Sequence, residues 1–129
     1  EELKEEKVKT KFLNFVSATK DIDGGKLFIS KVSDISPKLL KVGVETFADK
    51  LGESVIVIVS QNDENLSLAA KVSPKFIQKG IKAGDLVREL AQGLNGKGGG
   101  SPQYAQGGAP LSGDVDNVLA RVEEQLLKI

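Results

Sequence analysis

The order of its elements makes this an α/β chain. The expected architecture is a small mixed β-sheet of three to four strands, holding one parallel βαβ unit and a hairpin, with packed helices and a helical lead-in at the N-terminus. Three observations predict it. Val55-Ile56-Val57-Ile58-Val59 is apolar on both faces, the pattern of a strand in the middle of a covered sheet. A β-branched and aromatic run, Lys26 to Val32, precedes it, and a capped amphipathic segment lies between the two. Strand, helix and strand in that order form a right-handed unit with parallel pairing.

Each element has its own signal. Glu1 to Thr19 reads as a helix, because Val8, Phe12, Phe15 and Val16 recur on one face. Residues 1–19 are therefore taken as an N-terminal helix, the end of a linker or helical subdomain, and residues 20–129 as the globular domain. Asp21-Ile22-Asp23-Gly24-Gly25 is a turn, its two glycines free to adopt positive φ. The helix of the βαβ unit starts at Ser36-Pro37, a good N-cap followed by the residue best suited to the first helical position. Leu40, Val44, Phe47, Ala48 and Leu51 form its apolar stripe, and Gly52 ends it. After the polar turn Asn62-Asp63-Glu64-Asn65, alternating Leu66, Leu68, Ala70 and Val72 form a strand pairing antiparallel with the one before. Ser73-Pro74 opens a short helix to about Gln78. Ala83 to Leu94 and Gly113 to Ile129 are amphipathic helices.

A chain of 129 residues can enclose one core but not a multidomain catalytic machine. No segment is long and apolar enough to cross a bilayer, and none has the basic-then-apolar form of a leader. There is no cysteine, hence no disulfide and no thiolate metal site, which suits an intracellular protein. There is no histidine either, which removes the commonest general base and zinc ligand and every Ser-His or Cys-His pair. The acidic turns around Asp21 and Asn62 lack calcium-loop spacing, so turn chemistry accounts for them. Because the chain begins at Glu1 and not at methionine, a fragment or processed product is expected.

Formal net charge is zero but unevenly distributed. Residues 71–97 carry six basic side chains (Lys71, Lys75, Lys79, Lys82, Arg88, Lys97) against two acidic ones, and Leu90 to Gly113 contains no acid at all. Residues 21–70 reverse the balance, with five lysines against eight carboxylates. An acid-free basic stretch in a neutral protein is the footprint of a modest polyanion site, although lysines on a helix also serve simply as a solvated face. Lys38, in the acidic half, is expected to stand outside such a site.

Between the last two helices lies Gly96-Lys97-Gly98-Gly99-Gly100-Ser101-Pro102-Gln103-Tyr104-Ala105-Gln106-Gly107-Gly108, in which six of 13 residues are glycine. Composition alone allows a flexible linker. The amphipathic helix that follows places the segment inside a fold, and its centre could form a short edge strand with proline at its start. Glycines let backbone N–H groups converge on an anion, Lys97 adds a charge, Tyr104 offers a ring for stacking and Gln106 an amide. A nucleotide-triphosphate loop is a poor match, since no Lys-Ser/Thr pair follows and the next helix opens with Asp114 and Asp116.

The segment GKGGGSPQYAQGG, set between the apolar helix AGDLVRELAQGL and an amphipathic C-terminal helix, resembles the C-terminal signature of alanyl-tRNA synthetases. In that family a lysine amid glycines is commonly followed by Arg-Pro-Asp-Met or Arg-Pro-Asp-Phe and then Ala-Gln-Gly-Gly. The resemblance covers about residues 20–129. Ser101, Gln103 and Tyr104 depart from it, and the missing arginine removes a bidentate phosphate fork. The related DHH-associated domain of phosphoesterases shares the fold.

The resemblance implies a tRNA-binding domain that contacts the outer corner of an alanine-accepting tRNA, where the D and T loops meet. It would thereby help bring the aminoacylation and editing domains to one tRNA. ATP, magnesium and zinc are implied for the parent enzyme alone, with no cofactor, metal site or catalytic residue in this chain. The parent is placed in the cytoplasm, with the mitochondrial matrix left open. The expected RNA contacts are Lys97, Gly98, Gly99, Gly100, Tyr104, Gln106, Gly107 and Gly108, joined by Lys71, Lys75, Lys79 and Arg88. The alternatives are the substrate-binding domain of a DHH-type phosphoesterase, and a protein-interaction module that dimerises through Phe12 and Phe15 of the N-terminal helix. From the absence of histidine and cysteine, the purified chain is expected to turn over neither alanine, ATP, mischarged tRNA nor oligonucleotides; turnover in a direct assay would overturn this.

Overall fold

The computed structural model describes residues 2–15, 18–22, 24–111 and 113–128. Glu1, Val16, Asp23 and Ile129, assigned above to helices or to the first turn, lie outside these residues. Among the described residues the chain runs α1 (Glu2–Leu13), β1 (Lys20–Ile22), β2 (Gly25–Ser33), α2 (Pro37–Leu51), β3 (Ser54–Gln61), β4 (Asn65–Val72), α3 (Pro74–Gln78), α4 (Ala83–Gly93), β5 (Lys97–Gly100), β6 (Tyr104–Pro110) and α5 (Val115–Leu127). The strands form one mixed sheet in the order β1-β2-β3-β4-β6-β5.

The βαβ unit is as expected. β2 and β3 pair in parallel, with Leu27 opposite Val55 and Ile29 opposite Val57. Ser36 caps α2 by accepting from the Leu39 N–H at 3.4 Å, and Pro37 follows it. Gly52 closes the helix at φ 75°, donating its N–H to the Ala48 carbonyl, a conformation a side chain would oppose. β4 returns antiparallel to β3.

The sheet is covered on both faces by different helices. Leu27, Val55, Val57, Leu66, Leu68 and Ala70 point to the face carrying α3, α4 and α5, where Phe76, Val87, Leu90 and Val122 meet them. Phe28, Ile56, Ile58 and Ala69 point to the other face, under Leu40, Val44 and Phe47 of α2 and Phe12 of α1. β3 is thus buried from Ser54 to Ser60, as its continuous apolar run requires.

Five expectations are corrected. The sheet has six strands, not three or four. One of the extra strands, β1, is a short antiparallel edge in which Ile22 faces Gly25, where the sequence suggested only a turn. The other two come from the glycine-rich segment, which is neither a linker nor an open loop. Its residues pair as a hairpin, and β6 is an interior strand between β4 and β5 with Pro102 in the turn before it.

The N-terminal helix ends at Leu13, not Thr19, because the chain turns there to seat Phe15. Phe15 stacks on Phe28 at 5.1 Å and meets Phe12 and Phe47 edge-on at 5.6 and 6.4 Å. The two rings proposed as a dimer face are therefore spent inside the chain. Phe12 is fully buried, and a Cβ on Gly43 of α2 would overlap its ring.

Phe47 is fully buried and touches three other rings. Phe47→Ala is therefore expected to cost about 3–5 kcal/mol in urea or thermal unfolding, from lost burial plus a cavity. A loss below about 1 kcal/mol would contradict this packing.

Candidate nucleic-acid interface

The hairpin owes its shape to where it lacks side chains. Lys97 pairs with Gly108, Gly98 with Gly107, Gly99 with Gln106, and Gly100 with Ala105. Successive residues of a strand face opposite ways, so Gly98, Gly100, Ala105 and Gly107 share one face and Lys97, Gly99, Tyr104, Gln106 and Gly108 the other.

The first set faces α4 at very short range. A Cβ on Gly98 would stand 2.6 Å from Val87, one on Gly107 would stand 2.6 Å from the Lys97 carbonyl, and one on Gly84 of α4 would stand 2.8 Å from the Gly100 carbonyl. The turn of the hairpin also supplies the start of α4. Ala83 and Gly84 donate their N–H groups to the Pro102 and Ser101 carbonyls at 2.9 and 3.1 Å. These carbonyls replace a side-chain N-cap, which Lys82 does not provide. Ser101, standing where arginine is usual, closes the turn: its hydroxyl accepts from the Tyr104 N–H at 3.1 Å.

The second set behaves differently. A Cβ on Gly99 would meet nothing within 4 Å, and one on Gly108 only the Leu66 carbonyl at 3.5 Å. Neither glycine is held at positive φ. Here the bare backbone is not required by packing. α2 packs mainly on β3 and β4 and reaches the hairpin only with its N-terminal turns, at Tyr104 and Gln106.

The rim of this bare patch is basic. Lys97 is exposed on β5, and Lys71 is half-buried on β4 directly opposite Tyr104. The N-terminal turns of α2 form the wall. Gln106 donates its amide to the Pro37 carbonyl at 2.7 Å, fastening the hairpin to the helix start. Lys41 sits over the Tyr104 ring at 5.5 Å, with Glu45 one turn further along. Tyr104 is half-buried beside the α2 core. Its hydroxyl is enclosed without a hydrogen-bond partner among the described residues. Burial pushes its pKa well above the ordinary phenol range, the Gln106 amide opposing the rise and Glu45 adding to it.

The structure therefore brings together Lys97, Gly99, Tyr104, Gln106, Gly108 and Lys71, and not the other expected contacts. Gly98, Gly100 and Gly107 face α4. Arg88 lies on α4, held by the Asp85 carboxylate at 2.9 Å and the Gly84 carbonyl at 3.3 Å. Lys75 donates to the Gly24 carbonyl at 3.3 Å, and Lys79 lies over the Phe76 ring at 5.6 Å, both on α3 or its end. One lysine that sequence order hid joins instead: Lys41, over the Tyr104 ring.

The DHHA1 domain model matches residues 24–128. The chain belongs to the DHHA1 domain family. This DHHA1 domain is 44% identical over 107 residues to an alanine–tRNA ligase of Psychrobacter arcticus, a match covering 83% of the chain and 12% of that protein. It is 42% identical over 106 residues to the alanine–tRNA ligase of Psychrobacter cryohalolentis, covering 82% of the chain and 12% of the relative. The chain thus spans about 12% of the length of these curated relatives. Its fold is similar to that of the C-Ala domain from Aquifex aeolicus alanyl-tRNA synthetase, with a TM-score of 0.73 at 21% identity over 86% of this chain and 98% of that one. It is also similar to a DHH-domain protein described as a member of a ribosomal-protein family, with a TM-score of 0.62 at 21% identity over 99% of this chain and 31% of that one.

The DHHA1 domain offers no donor set for the zinc implied for the parent enzyme. It has no histidine or cysteine, and no group of three acidic residues among the described ones could hold a metal ion.

The two glycine classes make a stability test. Gly107→Ala forces a Cβ into backbone and is expected to cost roughly 1–3 kcal/mol in thermal unfolding. Gly99→Ala enters open space and is expected to be neutral, or to stabilise by about 0.4–1 kcal/mol through the unfolded chain. Equal losses at both positions would contradict the face assignment.

Proposed function

We propose that this DHHA1 domain is the tRNA-binding C-terminal domain of an alanine–tRNA ligase, holding the outer corner of an alanine-accepting tRNA so that the aminoacylation and editing domains reach the same molecule. The observation that carries the reading is the bare outer face of the β5–β6 hairpin. Gly99, half-buried, and Gly108, exposed, present backbone that no packing demand explains, and Lys97, Lys71 and Lys41 border it. Similarity to alanine–tRNA ligases supports tRNA as the polyanion.

Each part of the face has a physical role in this reading. A glycine strand lets a sugar–phosphate chain approach the peptide plane without meeting a Cβ, which is a recurring use of glycine in strands. The lysines neutralise phosphates and release counterions. Tyr104 holds the Lys41 ammonium over the strand and carries no charge itself, since its phenol is driven further from ionisation. The face reads shape and phosphate spacing more than base identity, and among its side chains Gln106 is the amide able to address a base edge. Half of that capacity is already used on Pro37.

Titration of labelled tRNA at several salt concentrations tests the proposal. With about three lysines in reach, log affinity should fall with log salt at a slope of roughly −2 to −4. Lys97→Ala should weaken binding and flatten the slope by about one. Gly99→Val should weaken binding at every salt concentration while the domain stays folded, because the new side chain stands on the bare face. Arg88→Ala, on the helix covering the opposite face, should leave affinity unchanged. Absence of binding at low salt, or equal losses for Arg88→Ala and Lys97→Ala, would refute the interface.

A further inference from the structure

Beside the hairpin face, at the C-terminal end of α2, a groove of about 540 Å³ opens between Gly52, the start of α3 and the turn before β6. That is within the size range of sites that hold small organic ligands. Three hydrogen bonds tie its wall together. Ser73 accepts the Ser54 N–H at 3.0 Å and donates to the Glu53 carboxylate at 3.2 Å, while the Ser54 hydroxyl is spent on the Gly52 carbonyl at 3.0 Å. These bonds fix Glu53 in place and leave neither serine free to solvate it further.

The remaining polar groups are unspent. Lys71, Asp49 and Gln103 line the groove, and their side chains have no partner among the described residues. Lys71 forms no ion pair with Asp49 or Glu53, although all three line one groove. Ala48 and Pro74 supply an apolar wall between these charges.

This combination selects a ligand by its polarity. Two carboxylates repel a bare phosphate or sulfate, and the half-buried lysine repels a simple cation. A suitable occupant has one anionic end and, a few bonds away, hydroxyl or amino donors. A ribonucleotide has both: a phosphate for Lys71, and ribose hydroxyls of the kind that acidic residues commonly accept. A planar base would lie along Ala48 and Pro74, with the Gln103 amide at its edge. Unpaired nucleotides splayed out of a fold are what proteins read in RNA, and the ribose hydroxyl is what separates RNA from DNA. Lys71 also faces the same side of the sheet as Tyr104, its partner across β4 and β6, so the groove is continuous with the basic face.

Taking RNA as the partner of the neighbouring hairpin face, as proposed above, we infer that this groove holds one unpaired ribonucleotide of the bound RNA. Lys71 engages its phosphate, Asp49 and Glu53 its ribose hydroxyls.

Amide chemical shifts of the whole chain test this, with the monophosphates of adenosine, guanosine, cytidine and uridine as probes and their deoxyribose counterparts as controls. Saturable shifts are expected at Asp49, Ser73 and Gln103, with the deoxy forms binding about tenfold more weakly for want of a charge-assisted hydrogen bond. Asp49→Asn should narrow that ratio. Lys71→Met, which keeps the aliphatic stem, should weaken the monophosphates but not the free nucleosides. Arg88→Ala, on the helix covering the opposite face, should change none of these values. Absence of saturable shifts in the groove, equal affinity for ribose and deoxyribose, or shifts confined to the Lys97 face would each overturn the inference. If tRNA binds through Lys97 while mononucleotides leave the groove unperturbed, only the groove assignment falls. If mononucleotides bind and tRNA does not, the RNA reading of the hairpin falls instead.

Discussion

Helix α4 is seated on the β5–β6 hairpin by two contacts that reinforce each other. The turn of the hairpin offers the Ser101 and Pro102 carbonyls to the first N–H groups of the helix, and Gly98, Gly107 and Gly84 allow helix and strands to touch backbone to backbone. A helix start buried without a cap would strand its donors, and a hairpin without the helix would leave a glycine-rich pair with almost no apolar area to bury. Together they turn residues with poor strand propensity into an ordered edge of the sheet. This seating fixes β6 against β4, which places Lys97, Gln106 and Tyr104 beside the start of α2 and leaves the outer face of the hairpin uncovered.

The same constraint explains what could be read in the sequence and what could not. The βαβ unit was legible because its information is local: a serine–proline start, an apolar stripe, a glycine stop and an uninterrupted β-branched strand. Of the hairpin only a short edge strand was legible. Its strand-forming signal is the absence of side chains, and the reason for that absence is Val87, an earlier residue on α4, whose methyl comes within 2.6 Å of where a Cβ on Gly98 would be. Composition makes such a segment look like a linker. β1 was hidden by brevity, since three residues carry no alternation to detect.

The distribution of charge misleads for a related reason. Arg88 and Lys97 are neighbours in a basic stretch of sequence, yet one stands on the helix covering the inner side of the hairpin and the other on its outer face. Lys41 belongs to the acid-rich half, yet the crossover that makes β2 and β3 parallel carries it on α2 to the basic rim. Linear clustering of charge and clustering on a surface coincide only within one element. Between elements, the sheet order decides.

A formally neutral domain can thus gather lysines on one rim while it pairs acids elsewhere, as in Lys20–Glu123 and Lys31–Asp116, with Glu45 the acid that acts on Tyr104 at the rim itself. Three lysines around one patch favour fast, salt-sensitive and modest binding, since few phosphates are neutralised and little apolar surface is buried. That suits a domain joined to others that hold the same RNA. Once one domain of a larger protein is engaged, the second binding event becomes intramolecular, and its effective concentration, not its intrinsic affinity, sets occupancy. Under the proposed reading, weak contact at the tRNA corner is then an advantage. It raises the residence of the whole RNA without holding any one end so tightly that passage from one active site to the next is blocked.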